Sequence, residues 1–155
     1  MSEPFDRLQC LVVLTYLCAM RIVMTFAIEP IDPADLPESS PAYTHGTLVR
    51  GGQRTLFISG QPPWTTKGDV PADFGAQCRL AWDNVKAVLA SADMTVENLA
   101  KVTVYLSDRR YRELNSRIRH EVLGEHRPAI TIIITGIYDE AWLLEIEAIA
   151  VAPDA

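Results

Sequence analysis

The sequence predicts an α+β domain in which two helices cover one face of a sheet, in the order ββαβαββ. Three observations lead there. The chain has 155 residues, the size of one domain. Short stretches with an alternating or continuous apolar pattern are interleaved with two stretches whose apolar residues recur at steps of three and four. Two helices are too few to cover both faces of a sheet of about five strands. The uncovered face would need a partner, and a homo-oligomer with sheets packed together is the natural solution.

Residues 47–50 form a short first strand, and Gly51-Gly52-Gln53 after it is turn chemistry, because glycine tolerates positive φ. Residues 55–59 (TLFIS) are β-branched and aromatic and form a second strand, so the pair reads as a hairpin. Pro62, Pro63, Gly68 and Pro71 make 60–71 a loop. A helix follows over 72–92. Phe74, Cys78, Ala81 or Trp82, Val85, Val88 or Leu89, and Ala92 share one face, and Asp73 in the first turn suits the helix dipole. Residues 99–107 alternate, with Val102, Val104 and Leu106 against Thr103 and Tyr105, as a half-buried strand does. Ser107 or Asp108 can cap the second helix, whose stripe is Tyr111, Leu114, Ile118 and Val122 and whose stop is Gly124. Residues 129–137 (AITIIITGI) are continuously apolar, the pattern of a strand buried on both sides. Residues 144–151 (LEIEAIAV) are the last strand.

The folded domain is therefore expected over residues 43–152. Residues 29–42 carry Pro30, Pro33, Pro37 and Pro41 among acidic and serine residues and read as an extended linker. Residues 1–28 form a hydrophobic extension. Its apolar run, LVVLTYLCAM, stops at Arg21, well short of the roughly 20 residues that span a membrane. Its start, MSEPFDR, lacks the positive charge of a secretory signal. It reads as an extension ahead of Met20 or Met24 from an early start codon, as an added amphipathic or swapped helix, or as a targeting segment.

Hydrophobic residues make up 48% and charged residues 22%, which excludes a disordered chain, a collagen-like repeat and a coiled coil. Lys plus Arg number 14 against 20 Asp plus Glu, a net charge of -6, with no basic run. That excludes the usual electrostatic basis of nucleic-acid binding and favours a small-molecule ligand. Cys10, Cys18 and Cys78 are odd in number and form no CxxC, so they read as reduced thiols in a cytoplasmic protein. No membrane partner is expected.

No glycine-rich phosphate loop and no GxSxG elbow is present. His120 and His126 lie six apart with Gly124 between them and do not share a helix face; no metal or cofactor is expected. Glu145 and Glu147 alternate on one face of the last strand, either a solvated face or a general acid/base at a cleft between subunits. Tyr43 and Ser59-Gly60-Gln61 sit at strand ends, where side chains and free N–H groups suit a ligand, although Tyr43 also reads as a packing residue. Asn115 reads as a surface or capping amide. Trp64, Trp82 and Trp142 read as packing residues.

Several stretches together resemble the RidA family, also called YjgF or L-PSP. They are Ser40-Pro41-Ala42-Tyr43 with Gly46, Phe57-Ile58-Ser59-Gly60-Gln61, Ala76-Gln77, Asp83-Asn84-Val85-Lys86, and Lys101-Val102-Thr103-Val104-Tyr105-Leu106 with Asp108. Asn115, Pro128-Ala129 and residues 144–151 complete them. The resemblance implies a chorismate-mutase-like fold assembled as a homotrimer, with small-molecule sites in the clefts between subunits. It implies hydrolysis of reactive enamines and imines, such as 2-aminoacrylate, to a keto acid and ammonia, without a cofactor. By position, Glu145 would activate water, while Tyr43, Ser59, Gly60, Asn115, Ala129 and Ile130 would line the pocket. Family deaminases carry a carboxylate-binding arginine where Ile130 stands, so the resemblance implies a substrate other than 2-aminoacrylate, one that is neutral, larger or more apolar. Two other readings accompany it: a non-catalytic, trimeric ligand-binding or regulatory module, and a ribonuclease, which the acidic charge opposes.

Overall fold

A computed structural model describes residues 25–34, 44–51 and 54–154 of the chain. The apolar run at 11–20, Cys10, Cys18 and Tyr43 lie outside the described residues. The strands are β1 (Ala27–Ile31), β2 (Gly46–Arg50), β3 (Arg54–Gln61), β4 (Leu99–Leu106), β5 (Ala129–Ile134) and β6 (Leu144–Ala152). The helices are α1 (Phe74–Ala90) and α2 (Arg112–Leu123). The main sheet has four strands in the order β3-β6-β4-β5, and β1 with β2 forms a separate ladder. β6 runs antiparallel to both its neighbours, while β4 and β5 are parallel and joined through α2. No helix of the described residues is long and apolar enough to cross a membrane.

The expected α+β architecture is present, and its core follows the two periodicities. Leu144, Ile146, Ala148 and Ala150 of β6 and Val102, Val104 and Leu106 of β4 are buried in one cluster with Cys78, Ala81, Trp82, Val85 and Leu89 of α1. Asp73 caps α1 by accepting a hydrogen bond from the Ala76 N–H at 3.0 Å. Asp108 caps the short turn before α2, accepting from Arg110 N at 2.8 Å. Gly124 ends α2 at φ 56°, a conformation that strains any residue with a Cβ.

Three expectations are corrected. β2 does not pair with β3: it pairs with β1, Ala27 facing Arg50 and Ile31 facing Gly46, while β3 pairs with β6. Residues on both sides of the expected boundary at 28/29 thus lie in one strand, and Pro30 is tolerated there because the strand is an edge. β5 is shorter than expected and is not buried on both sides. Among the described residues it is the edge of the four-stranded sheet, with β4 as its ladder partner and a single bridge from Ala129 to Thr44 on the other side, and Ile133 and Ile134 are exposed. The most buried positions of α2 are Asn115, Ile118, Arg119 and Leu123, one step round from the stripe that hydrophobicity alone selects.

Gln77 is buried in α1 and uses its whole amide. Its Nε2 donates to the carbonyls of Pro71 and Ala141 at 2.8 and 2.9 Å, and its Oε1 accepts from Leu143 N at 2.8 Å. It therefore ties α1 to the loop that precedes it and to the turn that leads into β6. Gln77→Leu leaves those backbone groups unpaired and is expected to lower stability by about 2–4 kcal/mol. Arg79→Gln, which breaks the exposed Arg79–Glu121 ion pair, is expected to change stability by less than about 1 kcal/mol. Thermal unfolding of the two variants beside wild type checks both.

Candidate functional site

Strand register decides which side chains can meet. Glu145 is paired with Tyr105, and Tyr105 with Ile133; Glu147 is paired with Thr103. These residues lie on the sheet face that the helices leave open. Ile130 is paired with Val102, and Val102 with Ala148, a row that faces the helices. Glu145 and Ile130 are therefore on opposite sides of the sheet.

On the open face, Gly60, Tyr105, Glu145 and Glu147 line a cleft of about 320 Å³ with the segment Thr135 to Tyr138. A register shift between Ile58 and Gln61 marks a bulge in β3 and carries Ser59 and Gly60 across from β6. Gly60 is needed for close approach: a Cβ built there would overlap the Glu145 carboxylate. Tyr105 OH donates to Glu147 Oε1 at 3.1 Å. Burial, then the neighbouring Glu147 charge, raises the Glu145 carboxyl above its ordinary pKa. The hydrogen bond to Glu147 raises the Tyr105 phenol. Ser59 borders an adjoining hollow of about 420 Å³ with Phe57, Lys101, Thr103 and Ile149. Lys101 donates to Thr131 Oγ1 at 2.7 Å, and desolvation lowers its pKa. Trp64 packs edge-on against Trp142, ring centres 5.2 Å apart, and the nearby Tyr138 is 93% exposed.

Asn115 and Ile130 meet elsewhere, in a groove of about 500 Å³ between α2 and β5. Asn115 is a buried amide rather than a surface one, and its Oδ1 accepts from Cys78 Sγ at 3.8 Å. Burial pushes the Cys78 thiol up to about 12, which leaves it a packing group and no nucleophile. Ala129 opens β5 and donates its N–H to Thr47 Oγ1 at 3.0 Å. The positions read from sequence thus fall into two sets: Ser59, Gly60 and Glu145 on one side, Asn115 and Ile130 on the other. Tyr105 and Arg119 escaped the sequence reading. Tyr105 is marked by its place opposite the Glu145–Glu147 pair once the register is known, and Arg119 by standing one turn after Asn115. His126 Nε2 lies 2.7 Å from the carbonyl of Leu99, a structural contact. Among the described residues, no three His, Cys, Asp or Glu side chains gather as a metal site would.

The sequence model of the family described as Endoribonuclease L-PSP matches residues 34–152. The chain belongs to the RidA, or L-PSP, family. A RutC family protein of Pyrococcus horikoshii is 37% identical over 112 residues, covering 71% of this chain and 88% of that protein. The 2-iminobutanoate/2-iminopropanoate deaminase of Escherichia coli is 34% identical over 120 residues, covering 74% of this chain and 93% of the deaminase. The Rid family protein YyfB of Yersinia pestis superposes with a TM-score of 0.70 at 25% identity, over 81% of this chain and 98% of its own. Escherichia coli TdcF with bound serine superposes at 0.60 with 30% identity, over 80% and 98%.

Two outcomes follow from the open-face cleft of this RidA-family chain. Glu147→Gln removes the secondary cause of the Glu145 shift, so the Glu145 carboxyl is expected to titrate at lower pH, though still above its ordinary value because burial remains. Carbon-detected NMR titration of the glutamate side chains reads this directly. The sign for stability follows: the folded carboxyl holds its proton more tightly than the unfolded one, so its contribution to stability falls as pH rises between the two pKa values. Gly60→Ala displaces the Glu145 carboxylate but meets only the end of a flexible side chain. It is expected to leave stability within about 1 kcal/mol of wild type while moving the Glu145 resonance.

Proposed function

We propose that this protein hydrolyses the C=N bond of a small imine or enamine metabolite, in clefts completed by a second copy of the chain within a homotrimer. The observation that carries the reading is the Glu145 carboxyl, seated against Gly60 in an open cleft with its pKa raised. Such a group holds and returns a proton nearer neutrality than an ordinary carboxyl does. The named activity of the Escherichia coli deaminase, 34% identical, supports the same chemistry.

Water adds to the imine carbon, and Glu145 accepts its proton as the C–O bond forms. The C=N electron pair moves to nitrogen, and Glu145 passes the proton it took from water to that nitrogen. The resulting carbinolamine collapses: Glu145 takes the hydroxyl proton as the C=O bond forms, the C–N bond breaks, and the proton goes to the departing nitrogen, which leaves as ammonia. An enamine first gains a proton at carbon and so becomes the imine. Overall, one imine and one water give one carbonyl compound and one ammonia.

The division of site residues across the sheet supports completion by a second copy. One ligand cannot touch Glu145 and Asn115 of the same chain, but a groove edge laid on another protomer's open face brings the two sets together. Phe57, 74% exposed on that open face, supplies apolar area for such a contact. Ile130, Ile132 and Ile134 make one wall of the groove apolar, which favours a substrate with a larger apolar side chain than 2-aminoacrylate. The net charge of -6 and the carboxylates on the open face disfavour RNA as substrate.

Keto-acid and ammonia release from imines generated in situ by an amino-acid oxidase, with catalase present, tests the reading. Wild type is expected to turn over the leucine-derived imine faster than 2-aminoacrylate. Glu145→Gln is expected to lower kcat by roughly 10²–10⁴-fold. A correctly assembled wild type that accelerates neither reaction overturns the proposal in favour of a ligand-binding module.

A further inference from the structure

Arg119 lines the groove between α2 and β5 and is only 7% exposed. Its Nε is buried without a hydrogen-bond partner, and its Nη2 reaches Ser116 Oγ at a long 3.4 Å. No acidic side chain pairs with it among the described residues. A buried cation without an anion is costly, and protein interiors rarely retain one. The carboxylate on the same groove, Glu113, does not offset it: it is exposed at the rim and paired with Arg112 at 3.2 Å. Desolvation accordingly depresses the Arg119 pKa below its ordinary value, with only the Cys78 thiol opposing.

The two walls of the groove differ in kind. Asn115, Ser116 and Arg119 lie within one turn of α2 and present an amide, a hydroxyl and a guanidinium. Ile130, Ile132 and Ile134 of β5 are hydrocarbon. A guanidinium whose Nε has no partner and whose Nη2 has only a long one matches the oxygens of a carboxylate. An apolar wall beside it matches a branched or aromatic substituent. We propose that Arg119 is the anion-binding residue of this groove and that the ligand is a carboxylic acid with an apolar side chain. The assignment rests on the proposed function in one respect: that this acid is the substrate or product of the hydrolysis. It names the group that holds the acid on a site where the position of Ile130 supplies none.

The test compares 4-methyl-2-oxopentanoate with its uncharged amide, and with pyruvate as a short acid, by calorimetric titration of the full chain. Wild type is expected to bind the branched acid at least about 30-fold more tightly than the amide, and more tightly than pyruvate. Arg119→Met should weaken binding of the branched acid by roughly 30–1,000-fold and leave the amide within about threefold. Arg119→Lys, which keeps the charge and loses the fork, should fall between. Without ligand, Arg119→Met should melt at or above the wild-type temperature, because a buried unpaired charge has been replaced by an apolar chain of similar length.

Equal affinity of wild type for acid and amide overturns the proposal, as does an Arg119→Met variant that binds the acid as wild type does. If Arg119→Met fails to fold, the acid–amide comparison on wild type and the Arg119→Lys titration still decide it. The two readings fail separately. Acid binding through Arg119 without turnover of the corresponding imine removes the hydrolase and keeps the anion site. Turnover with unchanged KM in Arg119→Met keeps the hydrolase and removes the anion site.

Discussion

The alternation of side chains along β6 is the constraint on which the rest depends. Because successive residues of a strand point to opposite faces, Leu144, Ile146, Ala148 and Ala150 go under the helices while Glu145 and Glu147 go to the open side. A slip of one residue would bury two carboxylates against Trp82 and Leu89 and bring apolar chains to the cleft. The cost of burying unpaired carboxylates sets the register of β6, and β6 sets the rest of the sheet, since β3 and β4 both pair with it. The bulge at Ser59 and Gly60 then aligns a backbone without a Cβ beside the carboxylate that needs the room.

Core and chemistry are therefore not separate layers of this fold. The buried amide of Gln77 holds the turn ahead of β6, and that turn lies just beyond the segment that walls the Glu145 cleft. Asn84 does the same on the other side, donating to the carbonyls of Pro62 and Trp64 at 2.9 and 3.1 Å and so fixing the loop after β3. Neither side chain touches the cleft, yet each fixes a loop flanking a strand that lines it.

Much of this was legible in the sequence because periodicity is local. The two helices, the strands at 55–59, 99–107 and 144–151, and the helix stop at Gly124 all follow from patterns within a dozen residues. The pairing of β2 with β1 was not, since Pro30 disguises a strand that survives only as an edge. The edge position of β5 was not either: an apolar run is compatible with the middle of a sheet and with its margin, and only the strand order separates them. For the candidate site, sequence order and resemblance named Glu145, Gly60 and Asn115 as candidates but could not say that a sheet stands between the first two and the third. That division depends on register across β4, β5 and β6, which no single segment encodes. Arg119 was hidden for a related reason. A charge beside Ile118 looks like solvated helix surface until β5 closes over it.

The margin formed by β5 has a consequence for the newly made chain. Its residues, AITIII, are strongly β-forming, uncharged and free of proline, and among the described residues the outer side of the strand has no ladder partner beyond a single bridge from Thr44 to Ala129. Such a margin is a template for indiscriminate strand addition whenever it is left bare. Natural sheets commonly guard their margins with a lysine, a proline or a bulge, and this one has none of these within β5. A chain whose β5 margin is bare is thus open to joining the wrong strand, and the isoleucines that shape its groove are the same residues that set the stakes.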